Sequence, residues 1–209
     1  MKVIKKSLGQ MGTNCYVVWD EKTLEAAVID PGFEDQRISD IINENKLKVN
    51  YILLTHGHFD HLGGVNQIKK LTGAKVLIHE NDADCLIDPR RNLSVLAGMS
   101  MILEPADGFL NENETITLGN IAFRVIHTPG HSKGGICLLA EDQLFAGDTL
   151  FNTSIGRTDF ADGDLNELLN GIKSKLFVLD DATTVLPGHG ENTTIGYEKT
   201  NNPFLKGRF

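Results

Sequence analysis

Four of the short apolar runs in this chain stop where glycines stand beside histidines or an aspartate. "YILLT" gives way to His56, His58, Asp60 and His61, "FRVIHTPG" to His131, "QLFAG" to Asp148 and "TTVLPG" to His189. Brief runs rich in β-branched and aromatic residues and bounded by turn formers predict strands. The same reading applies to "CYVVW", "AAVID", "KVLIH", "ITL", "IAFRVIH" and "ICLLA". Helices are expected over Asp35–Asn45, Leu62–Leu71, Asp164–Leu179 and Thr194–Asn201. In the third, Leu165, Leu168, Leu169, Ile172, Leu176 and Phe177 recur at helical spacing behind Asp164 as N-cap. Asp88–Glu112 carries no period and reads as a long connection with room for one helical turn, the kind of segment that often forms a lid or binding loop. Strands alternating with helices, without repeat or linker, predict one α/β domain over residues 1–209.

Composition narrows the partners. The 209 residues carry a formal net charge of −8, and 41% of them are hydrophobic, an ordinary soluble balance that offers no basic face to nucleic acid. The N-terminus "MKVIKKSLGQ" has lysines without a following apolar run, so no signal peptide is expected. No apolar stretch is long enough to span a bilayer. Cys15, Cys85 and Cys137 are far apart and odd in number. They are expected to be buried and unpaired, in a cytoplasmic protein.

His56, His58, Asp60, His61, His131, Asp148 and His189 make seven candidate metal ligands, almost all with a glycine neighbour that lets the backbone turn sharply. The simplest account is that several strands end at one sheet edge and deliver these groups to one point. A catalytic zinc takes about three protein ligands and keeps one position open, so seven groups exceed one ion. Two ions sharing a carboxylate account for them, and Asp148 is the candidate bridge. Structural zinc sites draw on thiolates, whereas a His/Asp set leaves the ion a stronger Lewis acid. His79 and His127 stand apart. His79 reads as an ordinary strand-end histidine. His127 lies close enough to His131 to be weighed as its support, with the ordinary reading preferred.

In order across Thr55–Gly190, "THGHFDH", "HTPGHS", "GDTLF" and "LPGHG" resemble the metallo-β-lactamase fold superfamily. Within it, "SIGRTDF" (Ser154–Phe160) and "TTIGYEKTNNPFL" (Thr193–Leu205) resemble the short glyoxalase II-like hydrolases of the YcbL type. The resemblance implies a four-layer αβ/βα sandwich, two mixed β-sheets packed face to face and flanked by helices. It implies that His56, His58 and His131 hold one metal, that Asp60, His61 and His189 hold the second, and that Asp148 bridges them. The ions would be two zincs per chain, with iron as the alternative at one or both sites. A metal-bridging hydroxide would attack a thioester or ester carbonyl, with Asp60 orienting one ion and accepting a proton. The implied substrate is S-lactoylglutathione or a related glutathione thioester.

Full-length glyoxalase II enzymes carry a C-terminal helical domain that grips glutathione. Only Glu191–Phe209 follow the last ligand, so none is expected here. Arg157 is the nearest cationic candidate for an anionic substrate group, with a structural pair to Asp159 as the alternative. Lys133, where relatives often have proline, is the second candidate, with simple solvent exposure as its alternative. The chief rival is a persulfide dioxygenase with one iron held by His56, His131 and Asp148. The chain's brevity and its "NNPFL" ending favour the hydrolase. A β-lactamase of this fold usually has cysteine at the place of Asp148, and a nuclease would need basic surface. A non-enzymatic metal-binding module would tolerate lost ligands, and none is lost. The expected partner is therefore a small thioester or ester, not nucleic acid or membrane.

Overall fold

The computed structural model describes residues 1–206, and within them the strands form two six-stranded sheets and one small hairpin. The first sheet follows chain order: β1 (Lys2–Leu8), β2 (Thr13–Trp19), β3 (Glu25–Ile29), β4 (Lys48–Leu53), β5 (Lys75–Ile78) and β6 (Gly108–Phe109). β1 to β3 pair antiparallel, and β3 to β6 pair parallel. Parallel neighbours need long crossovers. These contain α1 (Gln36–Glu44) between β3 and β4, then α2 (Phe59–Leu62) and α3 (Val65–Thr72) between β4 and β5.

The second sheet is an antiparallel run of β7 (Thr115–Leu118), β8 (Ile121–His127), β9 (Ile136–Ala140) and β10 (Gln143–Gly147). A hairpin, β11 (Leu150–Phe151) with β12 (Ser154–Ile155), follows, and then α4 (Leu165–Gly171). β13 (Thr184–Pro187) joins β10 in parallel, and β14 (Thr193–Thr194) closes that edge before α5 (Ile195–Asn201).

Three apolar layers hold the sandwich. Tyr16, Val18, Ile29 and Leu53 of the first sheet meet Phe123, Val125, Leu138 and Phe145 of the second. Cys15, Val17 and Trp19, on the opposite face of β2, pack instead with α1 and α3, as the two-residue period of a strand requires. α4 and α5 cover the outer face of the second sheet. This is the expected four-layer αβ/βα architecture. All three cysteines are buried and free, also as expected. No helix among the described residues is long and apolar enough to cross a membrane.

Besides the two-residue strands β6, β11, β12 and β14, which the sequence reading did not include, three elements depart from it. β1 escaped it because Lys2, Lys5 and Lys6 interrupt the apolar pattern; on an edge strand such lysines discourage pairing with another chain. The helix expected over Leu62–Leu71 is divided. Gly63 N–H donates to Gly32 O (3.1 Å) and Gly64 N–H to Pro31 O (2.6 Å), which pins the backbone between α2 and α3. A Cβ at either position would stand 2.5–2.6 Å from those same loop carbonyls or their neighbour Phe33 O, so only glycine allows the approach. The helix from Asp164 is capped as expected, Asp164 accepting from Glu167 N, but it passes into a π turn over Ile172–Leu176.

Polar stitches fix one edge of the sandwich. The Tyr16 hydroxyl and Asn14 Nδ2 both donate to Pro187 O (2.7 and 2.9 Å), and Asn14 N–H donates to Gly188 O (2.7 Å). These bonds cross from the first sheet to the loop that carries His189. Phe145 lies edge-on to Tyr16 with ring centroids 5.3 Å apart and is 1% exposed. Truncating Phe145→Ala is expected to cost about 3–5 kcal/mol of unfolding free energy, read as a lower urea midpoint at constant m.

Candidate metal centre

All seven candidate ligands come together at that edge. His56 and His58 sit in the turn after β4, Asp60 and His61 on the short helix α2, His131 in the loop after β8, Asp148 directly after β10, and His189 after β13. Three sets of donor atoms are mutually close: His56 with His58 and His131, His56 with His61 and Asp148, and Asp60 with His61 and His189. His58 Nδ1 lies 2.9 Å from His131 Nε2, and His61 Nε2 lies 3.3 Å from His189 Nε2. The Asp148 carboxylate stands between the two ends, Oδ1 at 3.4 Å from His61 Nε2 and Oδ2 at 3.5 and 3.6 Å from His131 and His189 Nε2. Asp60 Oδ2 is 3.3 Å from His189 Nε2.

Neighbouring groups hold the rings in defined orientations. His61 Nδ1 donates to Asp30 Oδ2 (3.0 Å), His131 Nδ1 to Arg157 O (2.8 Å) and His189 Nδ1 to Met11 O (3.2 Å). Each bond puts the proton on Nδ1 and leaves the Nε2 lone pair facing the cluster. Thr55 spends its hydroxyl hydrogen on Asp30 Oδ2 (2.6 Å), so its oxygen accepts from His56 Nδ1 (3.2 Å). His56 Nε2 is then a bare acceptor, buried and without a hydrogen-bond partner, as is Asp148 Oδ1. Asp82 holds the two metal-facing loops together, accepting from Gly57 N–H (2.9 Å) and Gly134 N–H (2.6 Å). A Cβ on Gly188 would fall on Asp148 Oδ1, so the loop before His189 passes this carboxylate only as bare backbone.

The electrostatics favour a cation. Burial, with the crowding of other rings, pushes the His56 imidazole well down and His58 to about 3. Burial alone would raise Asp148 and Asp60, but the facing imidazoles, His61 foremost, outweigh it and hold both carboxyls low. For His61 and His189 burial acts downward, and the surrounding carboxylates, Asp148 and Asp60 among them, reverse it. The cluster thus sets neutral imidazoles at His56 and His58 beside buried carboxylates, and a metal ion entering it competes with protons on His61 and His189.

Tetrahedral coordination at about 2.0–2.1 Å sets neighbouring donor atoms about 3.3 Å apart. The observed 2.9–3.7 Å spacings bracket that value. An orphaned imidazole nitrogen, an orphaned carboxylate oxygen and this spacing all fit a metal-binding His/Asp cluster.

The cluster floors a cleft of about 480 Å³ whose walls include Phe59, Phe160, Leu96 and Arg157. Arg157 is paired with Asp159 through Nε (3.0 Å) and Nη2 (2.8 Å) and lies over the Phe160 ring at 4.6 Å. Lys133 pairs with Asp162 (2.9 Å), is 61% exposed on its side chain, and is not part of the cleft wall. His79 and His127 stack on each other at 4.0 Å, and His127 Nε2 donates to Lys133 O. Asp30, Asp82 and Thr55 were not singled out in the sequence. Asn92 was missed as well: fully buried, it donates to Cys85 O (2.8 Å) and Met101 O (2.9 Å) while its own carbonyl accepts from Phe59 N–H (2.9 Å), tying the cleft wall to α2.

A family model for the metallo-beta-lactamase superfamily matches residues 8–189. The chain belongs to this superfamily. Superfamily members similar to it include the hydroxyacylglutathione hydrolase GloC of Haemophilus influenzae, 37% identical with 93% of each chain covered. The probable metallo-hydrolase YqgX of Bacillus subtilis is 35% identical with 99% of each covered. Among solved structures, the BLEG-1 B3 metallo-beta-lactamase matches at TM-score 0.94 and 38% identity, over 99% of this chain and 100% of that one. TTHA1623 in a di-iron-bound form matches at 0.85 and 34%, over 97% and 100%. ETHE1 from Myxococcus xanthus matches at 0.83 and 30%, over 97% and 84%.

Asp30 touches no candidate donor position except through His61 and Thr55, which makes it a test of the arrangement. Asp30→Asn should weaken metal affinity about 10–100-fold, measured by competition with a chromogenic chelator. Returning zinc to chelator-treated wild-type protein should raise its melting temperature in a concentration-dependent way.

Proposed function

We propose that this chain is a two-metal hydrolase of thioesters, glyoxalase II-like in its chemistry and acting on S-lactoylglutathione or a related glutathione thioester. The observation that carries the reading is the position of the Asp148 carboxylate between two separate triads, His56/His58/His131 and Asp60/His61/His189. Each triad would hold one ion, with Asp148 placed to serve both. Two zinc ions are the preferred occupants because the donors are nitrogen and oxygen without thiolate, with iron as the alternative. The di-iron form of TTHA1623 supports a two-metal occupancy in this fold, and the likeness to GloC supports the thioester.

When bound, the ions supply a water activated at neutral pH and a Lewis acid for the scissile carbonyl. The chain's own groups do the rest. Asp60, on the cleft wall, holds a carboxylate beside His189 and accepts from the Thr13 hydroxyl (3.4 Å), where it orients the site and takes up a proton. Phe59 and Phe160 line the cleft with apolar surface, which helps a bound substrate displace water and so strengthens each charge interaction within it. Arg157 offers the cleft's cationic edge to an anionic substrate group, its guanidinium held over the Phe160 ring and shared with Asp159.

A second reading, β-lactam hydrolysis, is favoured by the likeness to BLEG-1, and the likeness to ETHE1 keeps the mononuclear iron dioxygenase in view. Elemental analysis separates the last from the others: about two ions per chain supports the hydrolase, one iron with oxygen uptake on glutathione persulfide the dioxygenase. Metal-loaded protein should hydrolyse S-lactoylglutathione with a kcat/KM at least about a hundredfold above that for a chromogenic cephalosporin; the reverse order would sink the thioester reading. Asp148→Asn should lower both metal content and kcat/KM, the latter by about a hundredfold or more.

A further inference from the structure

A second cavity, of about 560 Å³, opens beside the metal cleft. The two share Met11, Phe59, Asp60 and Ala97 in their walls, so a molecule with its reacting carbonyl at the cluster can extend into it. Its other walls are mainly apolar: Leu8, Phe33, Met99 and Met101. The chain has four methionines, and three of them line this one space. Methionine adapts its shape to different apolar partners, which suits a subsite for flexible chains more than a packed core.

Charge separates the two spaces. Arg157, paired with Asp159, lines the metal cleft beside Asp60 and Asp148; the second cavity shares Asp60, adds Glu34, and has no lysine or arginine among its lining residues. A glutathione moiety, with two carboxylates, is drawn to the Arg157 side and repelled from Glu34. The other arm of the thioester, the acyl group, then faces the apolar space. That space is built in advance. Met101 is held at both backbone groups, its N–H by Ser94 Oγ (3.0 Å) and its carbonyl by Asn92 Nδ2 (2.9 Å). Phe33 leans on the turn at Gly9, where even a Cβ would lie 3.3 Å from its side chain. Yet Met11, Phe33 and Met99 remain 60%, 57% and 46% exposed, apolar surface left uncovered at the mouth of a reactive site.

We propose that this cavity is an acyl-binding subsite and that the preferred substrates are thioesters with an apolar acyl group longer than lactoyl, with Phe33 and Met99 as the residues that set the preference. The inference rests on the thioesterase reading of the metal centre.

The test is a series of S-acetyl-, S-butyryl- and S-hexanoylglutathione with zinc-loaded protein. Each buried methylene is worth up to about fourfold in kcat/KM, so a rise of at least about tenfold from acetyl to hexanoyl is expected. Phe33→Ala and Met99→Ala should flatten the rise, while Val178→Ala, an exposed residue on neither cavity wall, should not. A flat or falling series with measurable thioester hydrolysis overturns the subsite and leaves the thioesterase standing. Calorimetry with S-hexylglutathione and S-methylglutathione, thioethers that cannot be hydrolysed, reads the same space without turnover. Tighter binding of the hexyl compound, lost in Phe33→Ala, supports the subsite even if no thioester is cleaved, and equal affinities overturn it. A dimer that dissociates in Met99→Glu, together with a flat acyl series, would instead assign the apolar surface to a second copy of this chain.

Discussion

The histidine-bearing segment after β4 leans on one buried carboxylate that is not itself in the cluster. Asp30 accepts from Thr55 N–H, the Thr55 hydroxyl and His61 Nδ1, at 2.8, 2.6 and 3.0 Å. Through these bonds the end of β3 sets the start of the histidine loop, the proton position on His56 and the rotation of His61. Asp30 reaches all three because its backbone sits in the left-handed region, φ +48°, a conformation aspartate tolerates better than most side chains. A buried carboxylate with this many donors is well satisfied, and its negative charge strengthens the His61 ring as a donor to a cation. Asp82 performs the corresponding joint between the loops of His58 and His131, using backbone N–H groups in place of side chains.

The strands and the ligands were legible because both obey short-range rules. Brief runs rich in β-branched and aromatic residues mark β2 or β10, and glycines beside histidines mark places where a chain must turn with a polar group in hand. Asp30 and Asp148 show where such rules end. "AAVID" and "LFAGD" have the same form, an apolar run closed by aspartate, yet Asp148 stands among the imidazoles with one oxygen unpartnered and Asp30 has both oxygens occupied. What distinguishes them is which groups approach from elsewhere in the fold, and no local pattern records that. Asn92 is a similar case. Its partners at Cys85, Met101 and Phe59 are joined by folding a loop without periodicity, and a lone asparagine in "RRNLS" looks like any turn residue.

The cations tell a related story. Arg157 and Lys133 were the obvious candidates for an anionic substrate, and each has an acid partner, Asp159 and Asp162. A guanidinium with an aspartate two residues away finds a pair without help from the tertiary structure. The character of the active cleft is set less by those charges than by the stretch after Ile87, which supplies Leu93, Leu96, Ala97, Met99 and Met101 to its surroundings. That stretch has no regular pattern because, apart from a short turn over Ser94–Ala97, it lines cavity walls without forming a helix or strand of its own.

Each triad takes two donors from the loop after β4 and a third from the second sheet, His131 in one case and His189 in the other. Neither sheet alone holds three donors for an ion, so a complete coordination shell exists only once the sandwich has closed. Before that point the chain offers at most partial ligation. A metal held by the cluster would therefore bind the closed protein and not the open chain, and would stabilise the sandwich as a latch does, by mass action on the closed state.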